Sequence, residues 1–322
     1  MTTHATPGPS GTALVIGEAL VDVVLKEGAD PQEIPGGSPA NVALGLARLG
    51  RDTELDCWIG KDRRGLAVRA HLESSGVRLT PGSDAAERTS TAQASIGADG
   101  AATYLFDLDW NPPFPEPTSD QAPLLVHTGS IAAILAPGTD TVRRTLEAYR
   151  ATSTICYDPN ARPQLMGEPE HARRTVEDLV ALADLVKCSD EDLVWLYGVD
   201  PSSDEALEKV LQTWLELGAA LVVVTRGKRG ALALSASGAR IEVPADPSVV
   251  VADTVGAGDS FMGGLEDGLW SEGLVGAEQR EALRAIDAET LERVVRHAAA
   301  IADITVSRTG ANPPTRAELA EA

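Results

Sequence analysis

The order of apolar and polar segments predicts an α/β fold in which helices cover both faces of a mainly parallel sheet. Short apolar runs with strand character alternate with longer amphipathic stretches for most of the 322 residues. Strands of a sheet covered on both faces read as continuous apolar runs, whereas helices place apolar residues three or four positions apart. The predicted strands are residues 13–16, 54–59, 124–128, 154–157, 185–187, 220–225 and 249–251, and the predicted helices are residues 39–49, 138–150, 171–182, 204–218 and 288–306. A further helix is predicted after Asp259, where Phe261, Leu265 and Leu269 follow a helical spacing.

The segment 87–117 breaks this alternation. Residues 91–96 and 102–106 are rich in β-formers, and the turn between them contains Gly100, which predicts a hairpin. The sequence Asp-Trp-Asn-Pro-Pro that follows at 109–113 suits neither a helix nor a central strand. A hairpin that projects from an α/β core can serve as a lid that excludes water from a reaction, or it can be a static edge hairpin.

Charge and cysteine content narrow the class of protein. The formal net charge is −21, from 27 basic and 48 acidic residues, and such a field opposes binding to nucleic acids or anionic membranes. Cys57, Cys156 and Cys188 lie in separate apolar runs, which indicates buried reduced thiols. The N-terminal residues lack the charged and apolar regions of a signal peptide, and no apolar run approaches the roughly 20 residues of a membrane span. We therefore expect a cytoplasmic protein.

Two glycine-rich segments contain the residues that are expected to form a reactive site. Residues 253–259 read Asp-Thr-Val-Gly-Ala-Gly-Asp and precede the predicted helix. A strand, a glycine turn and a helix N-terminus direct several backbone N–H groups to one place, and the helix dipole favours an anion there. Asp259 next to such a turn suits a general base that removes a proton from a hydroxyl group as a phosphate arrives. This arrangement predicts a kinase.

The second segment spans residues 36–50. Ser38 is predicted as the N-cap of a helix, with Pro39 at its first position and Gly50 just after its end. Gly36 and Gly37 allow the backbone to approach a ligand, and Asn41 on the first turn can both donate and accept hydrogen bonds. Alone, this segment is more typical of a well-capped helix after a glycine turn, without a ligand.

Other functional classes lack their motifs. The glycine turn has Phe261 where a dinucleotide-binding motif needs its third glycine, and no Walker-type phosphate loop is present. The five histidines show no metal-ligand spacing. A Ser-His-Asp hydrolase is not excluded by spacing, but no Gly-x-Ser-x-Gly elbow occurs.

Together the two segments resemble the signatures of the ribokinase-like carbohydrate kinases of the phosphofructokinase-B type, over nearly the whole chain. The resemblance implies a single domain, residues 1–322, with a doubly wound three-layer α/β sandwich and a small β-sheet lid. The lid would be formed mainly by residues 87–117, with a contribution from residues 18–36. The resemblance also implies ATP and Mg²⁺ as cofactors, K⁺ in many members, and a homodimer formed through lid strands.

The resemblance also assigns roles to individual residues. Asp259 is expected to be the catalytic base, with an anion hole formed by Gly256, Ala257 and Gly258. The sugar ligands expected are Asp22, Gly36, Gly37 and Asn41, and the nucleotide-binding residues expected are Lys187, Ser189, Thr225, Gly227 and Gly230. Asp253 is expected at the monovalent-cation site, and residues 307–310 near the adenine. Where many members carry Asn-x-x-Glu to organise Mg²⁺ through water, this chain has Ser189-Asp-Glu-Asp192, so either Glu191 or Asp192 takes that role, or the acidic run only stabilises a helix N-terminus.

The choice of sugar depends on weaker signals. The segment Asp158-Pro-Asn-Ala-Arg162 resembles that of fructokinases and ketodeoxygluconate kinases, and Arg162 is expected to contact the substrate or the ATP phosphates, unless it is only a structural arginine. Tyr104, Phe106 and Trp110 cluster on the expected lid of a chain with few aromatic residues, which suggests a stacking surface over the sugar or, equally, packing of the hairpin.

An acidic sugar would need a cation, and only Arg162 and Arg88 offer one. We therefore expect a fructokinase. The alternatives are a 2-dehydro-3-deoxygluconokinase, another sugar or nucleoside kinase of the family, and a non-catalytic sugar-binding regulator on the same scaffold.

Overall fold

The protein contains one large and one small β-sheet. The computed structural model describes residues 8–26, 30–96, 102–114 and 122–321. The strands are β1 Thr12–Ile16, β2 Leu20–Lys26, β3 Gln32–Gly36, β4 Asp52–Asp56, β5 Arg78–Leu79, β6 Thr91–Ile96, β7 Ala102–Asp107, β8 Leu125–Gly129, β9 Thr154–Asp158, β10 Leu185–Ser189, β11 Leu221–Thr225, β12 Ala231–Ser235 and β13 Arg240–Val243. The α-helices are α1 Ser38–Arg48, α2 Arg63–Glu73, α3 Gly138–Tyr149, α4 Pro163–Met166, α5 Pro169–Val180, α6 Asp190–Tyr197, α7 Asp204–Leu217, α8 Ala257–Ser271, α9 Arg280–Arg284, α10 Ala288–Val306 and α11 Arg316–Glu321.

The large sheet has nine strands in the order β13-β12-β11-β10-β9-β8-β1-β4-β5. Its seven strands from β11 to β5 run parallel, and β12 and β13 are antiparallel to their neighbours. Parallel neighbours have all their carboxyl ends at one edge of the sheet, so the loops that follow these strands meet there.

Helices pack on both faces of this sheet, which confirms the predicted three-layer architecture. Successive strand residues point to opposite faces, so Val15 packs in the core with α1, α8 and α10, whereas Leu14 packs in the core with α3, α5, α6 and α7. The predicted apolar stripe of Phe261, Leu265 and Leu269 is buried in the first of these cores. Within the described residues, no helix is long and apolar enough to cross a membrane.

The small sheet has four strands in the order β3-β2-β6-β7. The predicted hairpin is confirmed, because β6 and β7 pair antiparallel from Thr91 opposite Asp107 to Ile96 opposite Ala102; its turn lies outside the described residues. β2 pairs with β6 in parallel and with β3 antiparallel. Val21 and Val23 of β2 are buried in the core that also contains α2 residues. One face of the small sheet therefore packs on the core of the large sheet.

Two local predictions were wrong. Residues 249–251 do not form a strand, and Val250 and Val251 are 82% and 57% exposed. After β13 the chain leaves the sheet, and its backbone instead meets the end of α10, where Ala252 N–H donates to Val306 O. The second error concerns α8, which begins at Ala257, so Asp259 is its third residue and not the residue before it.

Candidate active site

The two glycine-rich segments meet at the carboxyl edge of the large sheet. The N-terminus of α8 lies against that of α1, and the loop after β9 contacts both. In open α/β sheets a ligand-binding crevice forms at this edge. The fold therefore brings together residues from distant parts of the sequence at the place where phosphate chemistry was predicted.

The N-terminus of α8 has free backbone amides. Gly256 has φ 73° and is the N-cap, a left-handed conformation that glycine adopts without strain. Ala257 N–H donates to Thr254 O at 3.2 Å, whereas the amides of Gly256, Gly258 and Asp259 have no acceptor among the described residues. These three amides and the positive end of the helix dipole are suited to bind an anion, but the amide of Ala257 is partly used within the turn.

The side chain of Asp259 is buried, at 7% exposure, and is held by two strong hydrogen bonds. Ser38 Oγ donates to Asp259 Oδ1 at 2.7 Å, and Asn41 Nδ2 donates to Oδ2 at 2.7 Å. Asn160 Nδ2 lies 3.5 Å from Oδ1. Charged acceptors make stronger hydrogen bonds than neutral ones, so the carboxylate has one fixed orientation.

This geometry corrects the prediction for Ser38. Gly37, with φ 109°, is the N-cap of α1, Ser38 is the first helical residue, and no side chain caps the helix. The hydroxyl of Ser38 is directed to Asp259 in α8 instead of to its own helix. A Cβ at position 37 would lie 2.4 Å from Glu18 O, so the turn before α1 requires glycine.

A buried ion pair lies beside the anion site. Lys187 Nζ is 2.8 Å from Asp158 Oδ2, and their side chains are 4% and 0% exposed. Burial alone lowers the pKa of Lys187, but the Asp158 carboxylate outweighs it and raises that pKa above its usual value, so the ammonium stays charged. A Cβ at Gly258 would lie 2.9 Å from Nζ. Glycine at 258 thus leaves space for a cation next to the free amides.

Two of the residues predicted to bind sugar, Asp22 and Asn41, lie near Asp259. A Cβ at Gly36 would be 2.2 Å from Asp22 Oδ2, so Asp22 packs directly on this glycine. Burial raises the pKa of Asp22 to about 6, the positive charge of Arg162 opposes this, and the negative charge of Asp259 adds to it. Asp22, Arg162 and Asp259 are thus close enough to interact electrostatically.

Glu18 is a buried acid in the same region that the sequence did not single out. Burial raises its pKa to about 7, partly offset by hydrogen bonds, including one from Ala132 N–H at 3.0 Å, and by Arg162. The Arg162 guanidinium donates through Nη1 to Asn160 Oδ1 at 2.6 Å and to Asn160 O at 3.0 Å. Arg162 therefore interacts with the two acids Asp22 and Glu18 and also with Asn160 in its own loop.

The aromatic residues of the hairpin have different positions. Phe106 pairs with Ala92, which pairs with Asp22, so the three residues share one face of the small sheet. The backbone of Tyr104 is paired with Ala94, but its side chain is outside the described part. Trp110 is 3% exposed and donates to Ala132 O at 3.0 Å in a small core with Ile16 and Val142. Trp110 is therefore a core residue, which favours packing over a stacking surface for this one of the three aromatic residues.

The acidic run at the start of α6 has a structural use. Ser189 is the N-cap and forms a capping box with Asp192: Asp192 N–H donates to Ser189 Oγ at 3.1 Å, and Ser189 N–H donates to Asp192 Oδ2 at 2.7 Å. Asp192 Oδ1 accepts from Ala161 N–H at 2.7 Å. Both oxygens of Asp192 thus have backbone partners, whereas Glu191 is exposed. No group of three or more His, Cys, Asp or Glu among the described residues has the arrangement of a metal site.

The remaining predicted residues border the same region. Thr225 Oγ1 donates to Cys188 O at 3.3 Å, and Gly227 and Gly230 have φ 52° and 82° in the turn after β11. Asp253 accepts from Gly310 N–H at 2.8 Å and from Val255 N–H at 3.1 Å. Those two backbone hydrogen bonds lower the pKa of Asp253. Asp253 therefore links the segment before α8 to the loop that contains residues 307–310.

Comparison with known proteins identifies the family of this chain. A model of the pfkB family carbohydrate kinases matches residues 12–318. A fructokinase from Klebsiella pneumoniae is 35% identical over 273 residues, which cover 82% of this chain and 86% of that protein. Fructokinase-1 from Oryza sativa subsp. japonica is 31% identical over 334 residues, and the match covers 97% of each.

Solved structures of similar proteins agree with the fold. The fructokinase from Xylella fastidiosa with bound ATP is 25% identical, with a TM-score of 0.79 over 96% of this chain and 97% of that one. A fructokinase double mutant from Vibrio cholerae O395, in a fructose-, ADP- and potassium-bound form, is 26% identical, with a TM-score of 0.75 over 98% and 99%. The chain thus has a ribokinase-like fold and belongs to the pfkB family of carbohydrate kinases.

Proposed function

We propose that the protein is an ATP-dependent sugar kinase that transfers the γ-phosphate to a hydroxyl of a small neutral sugar, with fructose as the preferred substrate. The observation that carries this proposal is the buried Asp259 at the N-terminus of α8, fixed by Ser38 and Asn41 and adjacent to free amides and to Lys187. A carboxylate held next to an anion site serves proton transfer during phosphoryl transfer. The fructokinases among its relatives support the choice of sugar.

In the proposed mechanism, one set of residues binds the sugar and another stabilises the transferring phosphoryl group. Asp22 accepts hydrogen bonds from two sugar hydroxyls while Gly36 and Gly37 let the sugar approach the backbone. Asp259 takes the proton of the reacting hydroxyl. The amides of Gly256, Ala257 and Gly258 and the Lys187 ammonium offset the charge of the transferring phosphoryl group, and fixed donors of this kind stabilise a transition state without reorganisation. The donor nucleotide binds along Thr225, Gly227 and Gly230.

Exposed apolar residues near the predicted nucleotide site support adenine binding. Val250, Val251 and Val255 are all more than half exposed, and they precede the anion site in the chain. Single exposed apolar residues are ordinary, but three in one segment next to a site are suited to cover a purine ring. Val250 and Val251, which were predicted to lie in a strand, are thus proposed to contact the base together with Val255.

Two cations complete the proposal. A hydrated Mg²⁺, when bound, would supply positive charge that offsets the charge of the phosphates. Of the two acids predicted to hold it through water, Glu191 is preferred, because both oxygens of Asp192 accept backbone N–H groups. Asp253 is proposed as a ligand of a K⁺ ion next to the anion hole. The potassium-bound form of the Vibrio cholerae relative supports the binding of a K⁺ ion.

The electrostatics favour a neutral sugar over an acidic one. Arg88, one of the two cations considered for a sugar carboxylate, forms an exposed ion pair with Asp107. Arg162 faces Asp22 and Glu18, so its charge is already shared by two acids. An additional buried carboxylate without its own cation would be costly, which makes fructose a better candidate than ketodeoxygluconate.

A phosphorylation screen tests the proposed function. The purified protein is assayed with ATP, Mg²⁺ and a panel that contains fructose, other neutral hexoses and pentoses, nucleosides and ketodeoxygluconate. We expect the highest kcat/KM with fructose. A higher value with ketodeoxygluconate would reverse the choice of sugar, and no phosphorylation of any member would favour the non-catalytic sugar-binding protein.

Asp22 is expected to give sugar binding its own pH dependence. Its pKa is raised to about 6, so the carboxylate is ionised above pH 6 and becomes protonated below it. Since the protonated form loses an acceptor for sugar hydroxyls, kcat/KM is expected to fall as the pH drops through about 6. Asp22→Asn is expected to raise KM by about tenfold to a hundredfold, the effect of a hydrogen bond to a charged group, and to abolish this step in the pH profile. A variant with the KM of the parent at pH 7.5 would contradict the role of Asp22.

The small sheet is proposed to act as the lid and to form a homodimer interface. Its outer strands β3 and β7 carry Ile34 and Leu105, which are 46% and 63% exposed. Edge strands with exposed apolar residues favour pairing with another chain. A light-scattering mass of about 34 kDa, the mass of a single chain, would exclude the dimer.

A further inference from the structure

A chain of three hydrogen bonds leads from Arg162 to Asp259. Arg162 Nη1 lies 2.6 Å from Asn160 Oδ1, Asn160 Nδ2 lies 2.8 Å from Ser38 Oγ, and Ser38 Oγ lies 2.7 Å from Asp259 Oδ1. The four residues come from the loop after β9, from the first position of α1 and from the first turn of α8. Three separate elements therefore meet in one hydrogen-bonded row that ends at the base.

The chemistry of the two ends fixes the direction of every bond in this row. A guanidinium has only donors, so the oxygen of the Asn160 amide must face Arg162 and its NH₂ must face Ser38. Ser38 Oγ therefore accepts from Asn160, and its own proton is left for Asp259, whose ionised carboxylate can only accept. All three donors point towards Asp259. Hydrogen bonds aligned in one direction polarise and strengthen one another.

The backbone at one residue of this row has an unfavourable conformation. Asn160 has φ 37°, a left-handed conformation that asparagine tolerates better than most residues but that is uncommon outside glycine. Strained backbone of this kind persists where the surrounding structure requires it, often at functional sites. Ser38 gives up the usual capping use of a serine at a helix start, since α1 has no side-chain cap.

We propose that Arg162, Asn160 and Ser38 form a positioning relay for the catalytic base, in which the Ser38 hydroxyl holds Asp259 ionised and correctly oriented and Arg162 polarises that hydroxyl through Asn160. The proposal rests on the function proposed above, because it treats Asp259 as the base. It gives Ser38 and Asn160 roles in catalysis without contact with the substrate. Asn41, on the other oxygen of Asp259, remains available to exchange its hydrogen bond for one to the sugar.

The relay acts within a dense set of charges. Asp22 from β2, His127 from β8, Asp158 from β9 and Lys187 from β10 all interact electrostatically with Asp259. His127, Asp158 and Lys187 are buried, and Lys187 is paired with Asp158. These groups act on Asp259 through their charges, whereas Ser38 donates a hydrogen bond directly to Oδ1. If Arg162 turned to a phosphate or sugar oxygen, its hydrogen bond to Asn160 would be lost and the Ser38 hydroxyl would be less polarised. Ligand binding would in this way affect Asp259.

Removal of the Ser38 hydroxyl tests the relay. Ser38→Ala is expected to lower kcat at pH 7 by about tenfold, because the carboxylate loses one of the two donors that orient it towards the reacting hydroxyl, with the KM for sugar changed less than about threefold. At saturating sugar, where the Asp22 step does not contribute, the pH at which kcat falls on the acidic side is expected to rise by about one unit, which corresponds to about 1.36 kcal/mol of differential stabilisation. Ser38→Thr, which keeps a hydroxyl, is expected to retain the profile of the parent.

Two further variants separate the relay from a structural effect. Ser153→Ala removes another buried serine hydroxyl, which donates to Pro123 O at 2.6 Å far from the site, and is expected to leave the pH profile unchanged while it measures the stability cost of such a loss. Asn160→Gly removes the middle of the row and suits the positive φ. Alone, Asn160→Gly is expected to lower kcat less than Ser38→Ala does. Added to Ser38→Ala, it is expected to change kcat very little, because Asn160 acts through Ser38.

The relay can be judged even if no sugar is phosphorylated. In protein labelled with ¹³C at the aspartate carboxyl carbons, the Asp259 signal is identified by its absence in Asp259→Asn, and its titration is followed with pH. We expect this titration to move to higher pH in Ser38→Ala and to stay in place in Ser153→Ala. Equal titrations in the parent and Ser38→Ala, or additive effects of Ser38→Ala and Asn160→Gly on kcat, would overturn the relay. Absence of sugar turnover in the parent would overturn only the proposed function.

Discussion

Replacement of Asp259 by asparagine is expected to lower kcat by at least about a hundredfold, the lower range for loss of a general base. The asparagine side chain has the same shape, and its oxygen can accept from Ser38 while its NH₂ donates to an Asn41 amide turned to present its oxygen, so the site keeps its structure. It cannot take a proton from the sugar hydroxyl. Steady-state kinetics with the best sugar of the screen measures kcat, and calorimetry measures sugar affinity, which is expected to change little because Asp22, Gly36 and Gly37 are untouched.

A matched control for this change is Asp56→Asn. Asp56 is also a buried aspartate near the carboxyl edge of the sheet, where it accepts from Thr80 Oγ1 at 2.6 Å, but it lies outside the proposed machinery. Burial raises its pKa to about 6, so a neutral amide is a mild replacement there. We expect parental kcat in this control. Equal kcat in Asp259→Asn and the parent would remove Asp259 from the role of base and with it the main support for the proposed function.

The fold was predictable because the large sheet is buried on both faces. Each central strand is a continuous apolar run that local patterning detects, and most predicted strands and helices agree with the structure within a few residues. The failure at residues 249–251 shows the limit of this signal. Three valines in a row predict a strand whether they pack in a sheet or, as here, lie in an exposed segment next to a site, because β propensity reports the side chains and not what covers them.

The contacts within the site were less predictable because they join distant parts of the chain. Ser38 has an ideal local use as an N-cap, but its actual partner is 221 residues away in the sequence. Asn160 and its φ of 37° are equally invisible to local patterns. One signal was available: Lys187 is a charged residue inside an apolar strand, and buried charges are nearly always paired. That rule predicts an acidic partner, although it does not identify Asp158.

Loss of the Lys187 charge is expected to have the largest effect on stability. The ion pair of Lys187 with Asp158 is almost completely buried, so Lys187→Met leaves an uncompensated carboxylate in the interior. Removal of one partner of a buried pair typically costs about 3–5 kcal/mol in the free energy of unfolding. Chemical denaturation of the variant measures this loss. The kcat is expected to fall as well, because Nζ lies beside the anion site at Gly258.

The double variant Lys187→Met/Asp158→Asn separates the two consequences. With both charges removed, the interior no longer contains an unpaired charge, and replacement of a whole buried pair is often neutral for stability. We therefore expect the double variant to regain most of the free energy of unfolding but not the kcat. Its melting temperature is also expected to rise less than that of the parent when ATP is added, since a ligand stabilises only in proportion to its affinity for the folded state. Recovery of both stability and parental kcat would mean that the pair only holds β9 and β10 together, whereas recovery of stability alone would identify the Lys187 charge as part of phosphoryl transfer.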